Sequence, residues 1–180
     1  TPKTTVRVCD SLTCEMFGAK SLSKYLGDHL DDNIQIVTAS CMGRCDMAPV
    51  VEVGHRHVGF ANLEKVISTI ESKEFTPEIP KYLSYNDYIK GEGYTLLNDC
   101  YAGKYNRDDL IDLVQKSGLR GMGGAGFPAG LKWKSIREQP KPRLMAINAD
   151  EGEPGTFKDR HYLEGDPHRF LEGMLIAAWV

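Results

Sequence analysis

Four cysteines in the first quarter of the chain fall into two pairs. Cys9 and Cys14 have four residues between them, and Cys41 and Cys45 have three. The first segment, TPKTTVRVCD, has no apolar stretch of the kind an export signal needs, so the default compartment is the reducing cytoplasm. There, cysteines point to metal or redox chemistry before disulfides. Four thiolates suit either zinc or an iron–sulfur cluster. Structural zinc most often uses a two-residue gap. The wider gaps here favour a [2Fe–2S] rhomb, whose two irons each take two thiolates some distance apart. Zinc, disulfides and inert thiols are the alternatives. Gly18 and Gly43 would let backbone N–H groups approach the sulfurs. Cys100 lies in a helical pattern and reads as a buried structural thiol.

A second chemical signal is GLRGMGGAGFPAGLKW, residues 118–133, with six glycines followed by Lys132. Gly121 to Gly126 fits G-x-G-x-x-G literally. A dinucleotide fingerprint should follow a strand, whereas residues 106–117 have helical period, and no Gly-Lys-[Ser/Thr] follows to make a P-loop. What remains is bare backbone N–H groups ahead of a helix start, an anion cradle with Lys132 as a mobile positive charge. The structural alternative, a tight turn that lets helices pack closely, accounts for one or two glycines rather than six.

A third signal is NADEGEPGTFKDR, residues 148–160. Asn148, Asp150, Glu151 and Glu153 offer an amide and three carboxylates, suited to a flavin edge, ribose hydroxyls or a nicotinamide amide. Thr156 and Asp159 make a capping-box pattern for the next helix. Asp166-Pro167 reads as an N-cap with Pro at the first helical position. The five histidines have no metal-ligand spacing and read as surface or satisfied side chains.

The elements that must position these residues follow from hydrophobic period. Thr5 to Cys9 alternates, with Val6 and Val8 on one face. Leu22, Tyr25, Leu26 and Leu30 give a helix stripe over residues 18–30. Ile34 and Ile36 sit on a second strand. PVVEV, the turn Gly54-His55 and RHVGF read as a hairpin. Leu63, Val66, Ile67 and Ile70 mark a closing helix. The predicted order is β-α-β-β-β-α over residues 1–74. If the first two strands are parallel, the right-handed crossover brings both cysteine loops to one sheet edge. Residues 75–92, with two prolines and mixed charge, read as a linker. Residues 93–180 form a second domain, with helices at 93–101, 106–117 (Leu110, Leu113 and Val114 apolar) and 129–138, and one strand at RLMAIN, 143–148. The last helix keeps its period to Val180 with no terminator, so the expectation is an incomplete second domain and a chain that is part of a longer polypeptide.

Composition bounds the rest. At 180 residues, with 41% hydrophobic and 26% charged residues, the chain reads as one or two soluble globular domains. A net charge of −3 gives no footprint for nucleic acid. The longest apolar run, Met174 to Val180, is far short of the ~20 residues of a membrane span.

Taken together, GLRGMGGAGFPAGLKW and NADEGEPGTFKDR resemble the flavin- and NADH-binding subunit of NADH:quinone oxidoreductases and their soluble relatives. The four-cysteine region resembles the thioredoxin-like [2Fe–2S] subunit of the same enzymes. Fusion of the two in one chain is typical of the diaphorase subunits of NAD-dependent formate dehydrogenases and NAD-reducing or bifurcating hydrogenases. VRVCDSLTCEMFGA, CMGRCDMAPVVEVG and DPHRFLEGMLIAAWV look closest to the β subunit of the molybdenum- or tungsten-dependent formate dehydrogenases.

The resemblance implies an α/β fold class: a thioredoxin-like [2Fe–2S] domain followed by the N-terminal part of a flavin/NADH-binding α/β domain. It implies that Cys9, Cys14, Cys41 and Cys45 hold the [2Fe–2S] cluster, and that Gly121, Gly123 and Gly124 cradle the FMN phosphate. Asn148 and Asp150 would contact the flavin or its ribityl chain. Phe127, Lys132 and Glu153 would face NAD(H), with Glu151 near the nicotinamide. Glu151 and Glu153 are thereby the candidate catalytic residues. Met122 stands where many relatives carry Arg, and Ser135 where respiratory relatives carry an aromatic. The family's [4Fe–4S] ligands are expected beyond Val180. The implied function is oxidoreduction, passing electrons between iron–sulfur clusters and NAD via FMN, most specifically formate + NAD+ to CO2 + NADH. The implied partner is a catalytic molybdenum or tungsten α subunit with iron–sulfur clusters, in the cytoplasm. The same module of a hydrogenase or respiratory dehydrogenase is the alternative, and a non-catalytic [2Fe–2S] carrier or assembly domain is a reading of another class.

Overall fold

The computed structural model describes residues 4–180. The chain forms two compact units. One comprises the chain up to Pro80 together with Ala149–His161, and the other Lys81–Asn148 with Tyr162–Val180.

The first unit is a four-stranded sheet with order β2-β1-β3-β4. Strand β1 (Thr4–Cys9) pairs parallel with β2 (Ile34–Ala39), as the sequence predicts, and antiparallel with β3 (Val51–Val53). β3 turns into β4 (Arg56–Val58) through Gly54, whose φ of 64° is one that glycine adopts without strain. Val6 lies opposite Val53 and Val8 opposite Val51, and all four are fully or almost fully buried. Burying a valine contributes about 1.5–3 kcal/mol, so this layer is a substantial part of the unit's stability. On the other face the same register sets Arg7 opposite Glu52, with an ion pair of 2.9 Å.

Helix α1 (Leu12–Met16) is a short addition to the predicted order, as is a 3-10 turn over Cys45–Met47. Helix α2 (Ala19–His29) packs on β1 and β2 through Leu26, and helix α3 (Leu63–Ser72) on β3 through Val66. Tyr25, predicted to belong to the buried stripe of α2, is exposed instead. Its position is one turn-step off the line through Leu22 and Leu26, where the phenol stacks on His29.

The second unit is helical. Helix α4 (Tyr85–Lys90) lies inside the segment predicted as a linker. Ser84 starts it: its Oγ accepts from the Asp87 N–H at 3.2 Å and donates to the Asp87 carboxylate at 2.7 Å. Ser84 is thus a side-chain N-cap, which starts a helix straight after a proline-rich stretch. Helices α5 (Thr95–Tyr101), α6 (Arg107–Lys116) and α7 (Ala129–Arg137) match the predicted ones. Leu110 is buried, but Leu113 points outward. Helix α8 (Lys158–Gly165) precedes α9 (Pro167–Trp179), where Asp166 caps and Pro167 begins the helix as predicted. Residues 143–148 form no strand, contrary to expectation, and Leu144 is 91% exposed. A short apolar run alone cannot make a strand: its N–H and C=O groups need a neighbouring ladder, and among the described residues this unit has no other strand.

Candidate functional site

The parallel β1–β2 pair delivers both cysteine loops to one edge of the sheet. Cys9 ends β1, and its N–H donates to the Val50 carbonyl at 3.1 Å. Cys14 lies on α1, buried, and shares a thiol hydrogen bond with Cys9 while receiving one from the Val50 backbone. Cys41 follows β2, and its sulfur is 3.4 Å from that of Cys45. The thiols therefore form two pairs, an inner one (Cys9, Cys14) and an outer, half-buried one (Cys41, Cys45).

Burial pushes the Cys14 thiol up to about 12, and the neighbouring Cys9 and Cys45 add to this while the Val50 N–H opposes it. Burial also raises Cys41, against the Gly43 backbone N–H, with Cys45 and Cys9 contributing. Thiols held neutral by burial are what an electropositive metal group would relieve by taking them as thiolates. Among the described residues, no group of three or more His, Cys, Asp or Glu side chains is arranged to hold a single metal ion. Two thiol pairs match a group with two metal centres better than one tetrahedral ion, so the donor set fits a [2Fe–2S] cluster. Gly43, with φ of 68°, turns its loop so that a backbone N–H faces Cys41. Cys100 is buried in α5, and burial raises its thiol in the manner of an inert structural cysteine.

The glycine run divides into two kinds. Gly118, with φ of 71°, follows the end of α6, and a Cβ on Gly130 would lie 2.5 Å from the Gln115 backbone. Gly118 serves the left-handed turn that ends α6, and Gly130 the α6–α7 packing. The others form a loop closed at its neck by an isolated bridge between Arg120 and Pro128 and by the Gly121 N–H donating to the Phe127 carbonyl at 2.9 Å. Beyond the neck, the N–H groups of Met122, Gly123, Gly124, Ala125 and Gly126 have no acceptor among the described residues. A Cβ at Gly123 or Gly124 would meet nothing within 4 Å. The glycines therefore keep backbone bare toward open space, which fits an anionic group resting on the loop. Lys132 is exposed on the first turn of α7, and Phe127 is 53% exposed. Arg120, absent from the residues that the sequence motifs single out, donates to the Gly126 carbonyl at 2.9 Å and brings a guanidinium to the loop. Its position beside the glycine run is the signal that could have found it.

The acidic residues have diverse surroundings. Asn148 belongs to the second unit, and Asp150, Glu151 and Glu153 to the first. Glu151, not Thr156, caps α8: its carboxylate accepts the N–H groups of Asp159 at 2.8 Å and Arg160 at 3.0 Å. Burial opposes its ionisation, but these N–H groups and the charges of Lys158 and Arg160 outweigh burial and hold the carboxyl below its usual range. Glu153 is exposed, and its carbonyl accepts the Thr156 N–H at 3.0 Å. Glu172 on α9 is a further residue that sequence reasoning misses; it is buried against Tyr88, Tyr94 and Leu97. It lies on a helix whose sequence stands out only for its apolar stripe.

Residues 1–74 match the family model of the thioredoxin-like [2Fe–2S] ferredoxins, and residues 114–180 that of the Nuo51 FMN-binding domain. The first part of the chain is thus similar to the thioredoxin-like [2Fe–2S] ferredoxins, and the last part to Nuo51-type FMN-binding domains. It is similar to a NADH-quinone oxidoreductase subunit of Rhizobium meliloti (strain 1021), with 45% identity over 103 residues, 57% of this chain and 24% of that protein. A NADH-quinone oxidoreductase subunit of Aquifex aeolicus (strain VF5) is 48% identical over 100 residues, 56% of this chain and 23% of that one. The crystal structure of an NAD+-reducing [NiFe]-hydrogenase in the H2-reduced state superposes with a TM-score of 0.73 at 25% identity, covering 99% of this chain and 35% of that one. The chain spans about a quarter of the length of the curated relatives it matches. Among the described residues, no helix is long and apolar enough to cross a membrane.

Proposed function

We propose that the chain is the electron-entry part of a diaphorase, an oxidoreductase module that passes electrons between iron–sulfur clusters and NAD(H) by way of FMN. The observation that carries this reading is the presence, in one chain, of two thiol pairs at a sheet edge and a glycine loop with unpaired N–H groups. A flavin exchanges electron pairs with a nicotinamide and single electrons with a cluster, so it belongs between the two. In this reading Cys9, Cys14, Cys41 and Cys45 hold the cluster. The N–H groups about Gly121, Gly123 and Gly124 bind the flavin phosphate, with Arg120 and Lys132 supplying positive charge. Asn148 and Asp150 orient the flavin, while Phe127, Glu151 and Glu153 address NAD(H). Glu151 also holds the start of α8, so its part near the nicotinamide is one of positioning.

The finer reading is the β subunit of a cytoplasmic NAD-dependent formate dehydrogenase, receiving electrons from a molybdenum or tungsten α subunit. Support for it is the resemblance of the cysteine segments and of residues 166–180. The likeness to the NAD+-reducing hydrogenase favours a second reading to the same degree, with a hydrogenase partner.

The test is Cys45→Ser in the full-length protein with its co-purifying subunits. Loss of the visible iron–sulfur bands and of the reduced EPR signal is expected. Retention of both, or zinc as the only metal found, overturns the assignment. NAD+ reduction by the purified assembly with formate or with H2 separates the two partners.

A further inference from the structure

The acidic segment touches the cysteine site itself. The Gly155 N–H donates to the Cys45 sulfur at 3.1 Å. Asp46, the residue after Cys45, pairs with the Arg160 guanidinium at 2.9 Å. Arg160 is in turn fixed by its own N–H on Glu151 and by its guanidinium over the Phe157 ring, 5.5 Å from the centroid. Gly155 has φ of 88° with open space where a Cβ would lie, so the turn, not crowding, calls for glycine there. Two independent contacts, a hydrogen bond to the sulfur and an ion pair to the next residue, thus hold residues 149–161 against the outer thiol pair.

We infer that Gly155 and Arg160 are positioning residues for the cluster, setting its reduction potential from a segment 110 residues away from Cys45 in sequence. The inference rests on the reading of the four cysteines as [2Fe–2S] ligands. An N–H aimed at a ligand sulfur stabilises the form with more negative charge, which is the reduced one. The Arg160–Asp46 pair keeps that N–H in place. Glu151 and Glu153, assigned to NAD(H), lie on the same segment as the Gly155 donor to the cluster.

The experiment is an EPR-monitored redox titration of the full-length holoprotein. Arg160→Ala should lower the equilibrium constant for cluster reduction roughly three- to tenfold, up to about 59 mV for one electron. Arg160→Lys, which keeps an ion pair with Asp46, should stay near the wild-type value. Asp46→Asn, a change at a partly exposed position, should also lower the potential because it frees the segment. Loss of a negative charge acting only through space would raise it. A normal cluster signal with an unshifted potential in Arg160→Ala, or a raised one in Asp46→Asn, overturns the inference. A wild-type protein without any [2Fe–2S] signal refutes the cysteine assignment instead.

Discussion

The Glu172 carboxylate accepts the backbone N–H of Tyr94 at 3.0 Å, so α9 caps the start of α5 across 78 residues of sequence. The Tyr88 hydroxyl also donates to this carboxylate, and the Leu97 N–H lies 3.4 Å from its second oxygen. Glu172 is 9% exposed, and removing it leaves those donors buried and unpaired. Glu172→Ala should destabilise the second unit by about 2–4 kcal/mol, and Tyr88→Phe, which leaves the two N–H contacts, by only about 1 kcal/mol. Denaturant unfolding of the full-length protein, followed through Trp133 and Trp179 fluorescence, checks the difference. Equal effects would show that Glu172 does not act as the cap.

Two glycines of one run should fail in different ways. Gly123→Val adds a side chain into open space, so folding and iron content should be normal while flavin content falls severalfold. Gly130→Val drives a side chain into the Gln115 backbone and should destabilise the α6–α7 pair by about 1–3 kcal/mol. Flavin extraction and thermal melting together separate the outcomes. Wild-type flavin occupancy in Gly123→Val would refute the phosphate cradle.

Glu153 tests the NAD(H) assignment. Its side chain is exposed, and its part in the loop's own hydrogen bonding is through its carbonyl, which takes the Thr156 N–H. A hydrogen bond to a charged acceptor contributes about 1.5–3 kcal/mol, so Glu153→Gln should weaken NAD(H) roughly ten- to a hundredfold. Flavin content and electron transfer to a one-electron dye should stay normal. Unchanged KM and kcat for NAD+ would leave Glu153 as a solvated loop charge.

Glu151 gives a pH dependence with a definite sign. Its folded carboxyl lies below its ordinary value, so the stability it contributes is full above that ordinary value. The contribution is lost as pH falls through the depressed folded value. Glu151→Gln should remove this part of the acid sensitivity, leaving a shallower fall in the unfolding midpoint of the first unit between neutral and acid pH. Parallel pH profiles for mutant and wild type would disprove the capping role.

Much of the first unit is legible in the sequence because its determinants are local. Val6 and Val8 alternate, Gly54 marks the hairpin, and the cysteine pairs follow their strands. The parallel crossover then brings the four thiols to one edge without further information. The second unit is less legible. Ser84 is a good N-cap residue, but two nearby prolines mask it. Residues 143–148 carry the short apolar run of a buried strand, yet a strand depends on a neighbour that hydrophobic patterning does not reveal. Glu172 and Gly155 act through contacts 78 and 110 residues away, and no local pattern encodes such a pairing. The six glycines look like one feature in the sequence, whereas Gly118 answers to the turn that ends α6, Gly130 to helix packing and the others to the loop.

The discontinuity of the first unit also orders events during synthesis. Cys45 leaves the ribosome 110 residues before Gly155, and at about 5–20 residues per second that is an interval of roughly 6–22 s. The β1–β2 edge and all four thiols are complete before the segment that closes over Cys45 exists. For that interval Cys45 lacks the Gly155 N–H and Asp46 lacks the Arg160 guanidinium. The two contacts that fix residues 149–161 beside the outer thiol pair can form only after that interval.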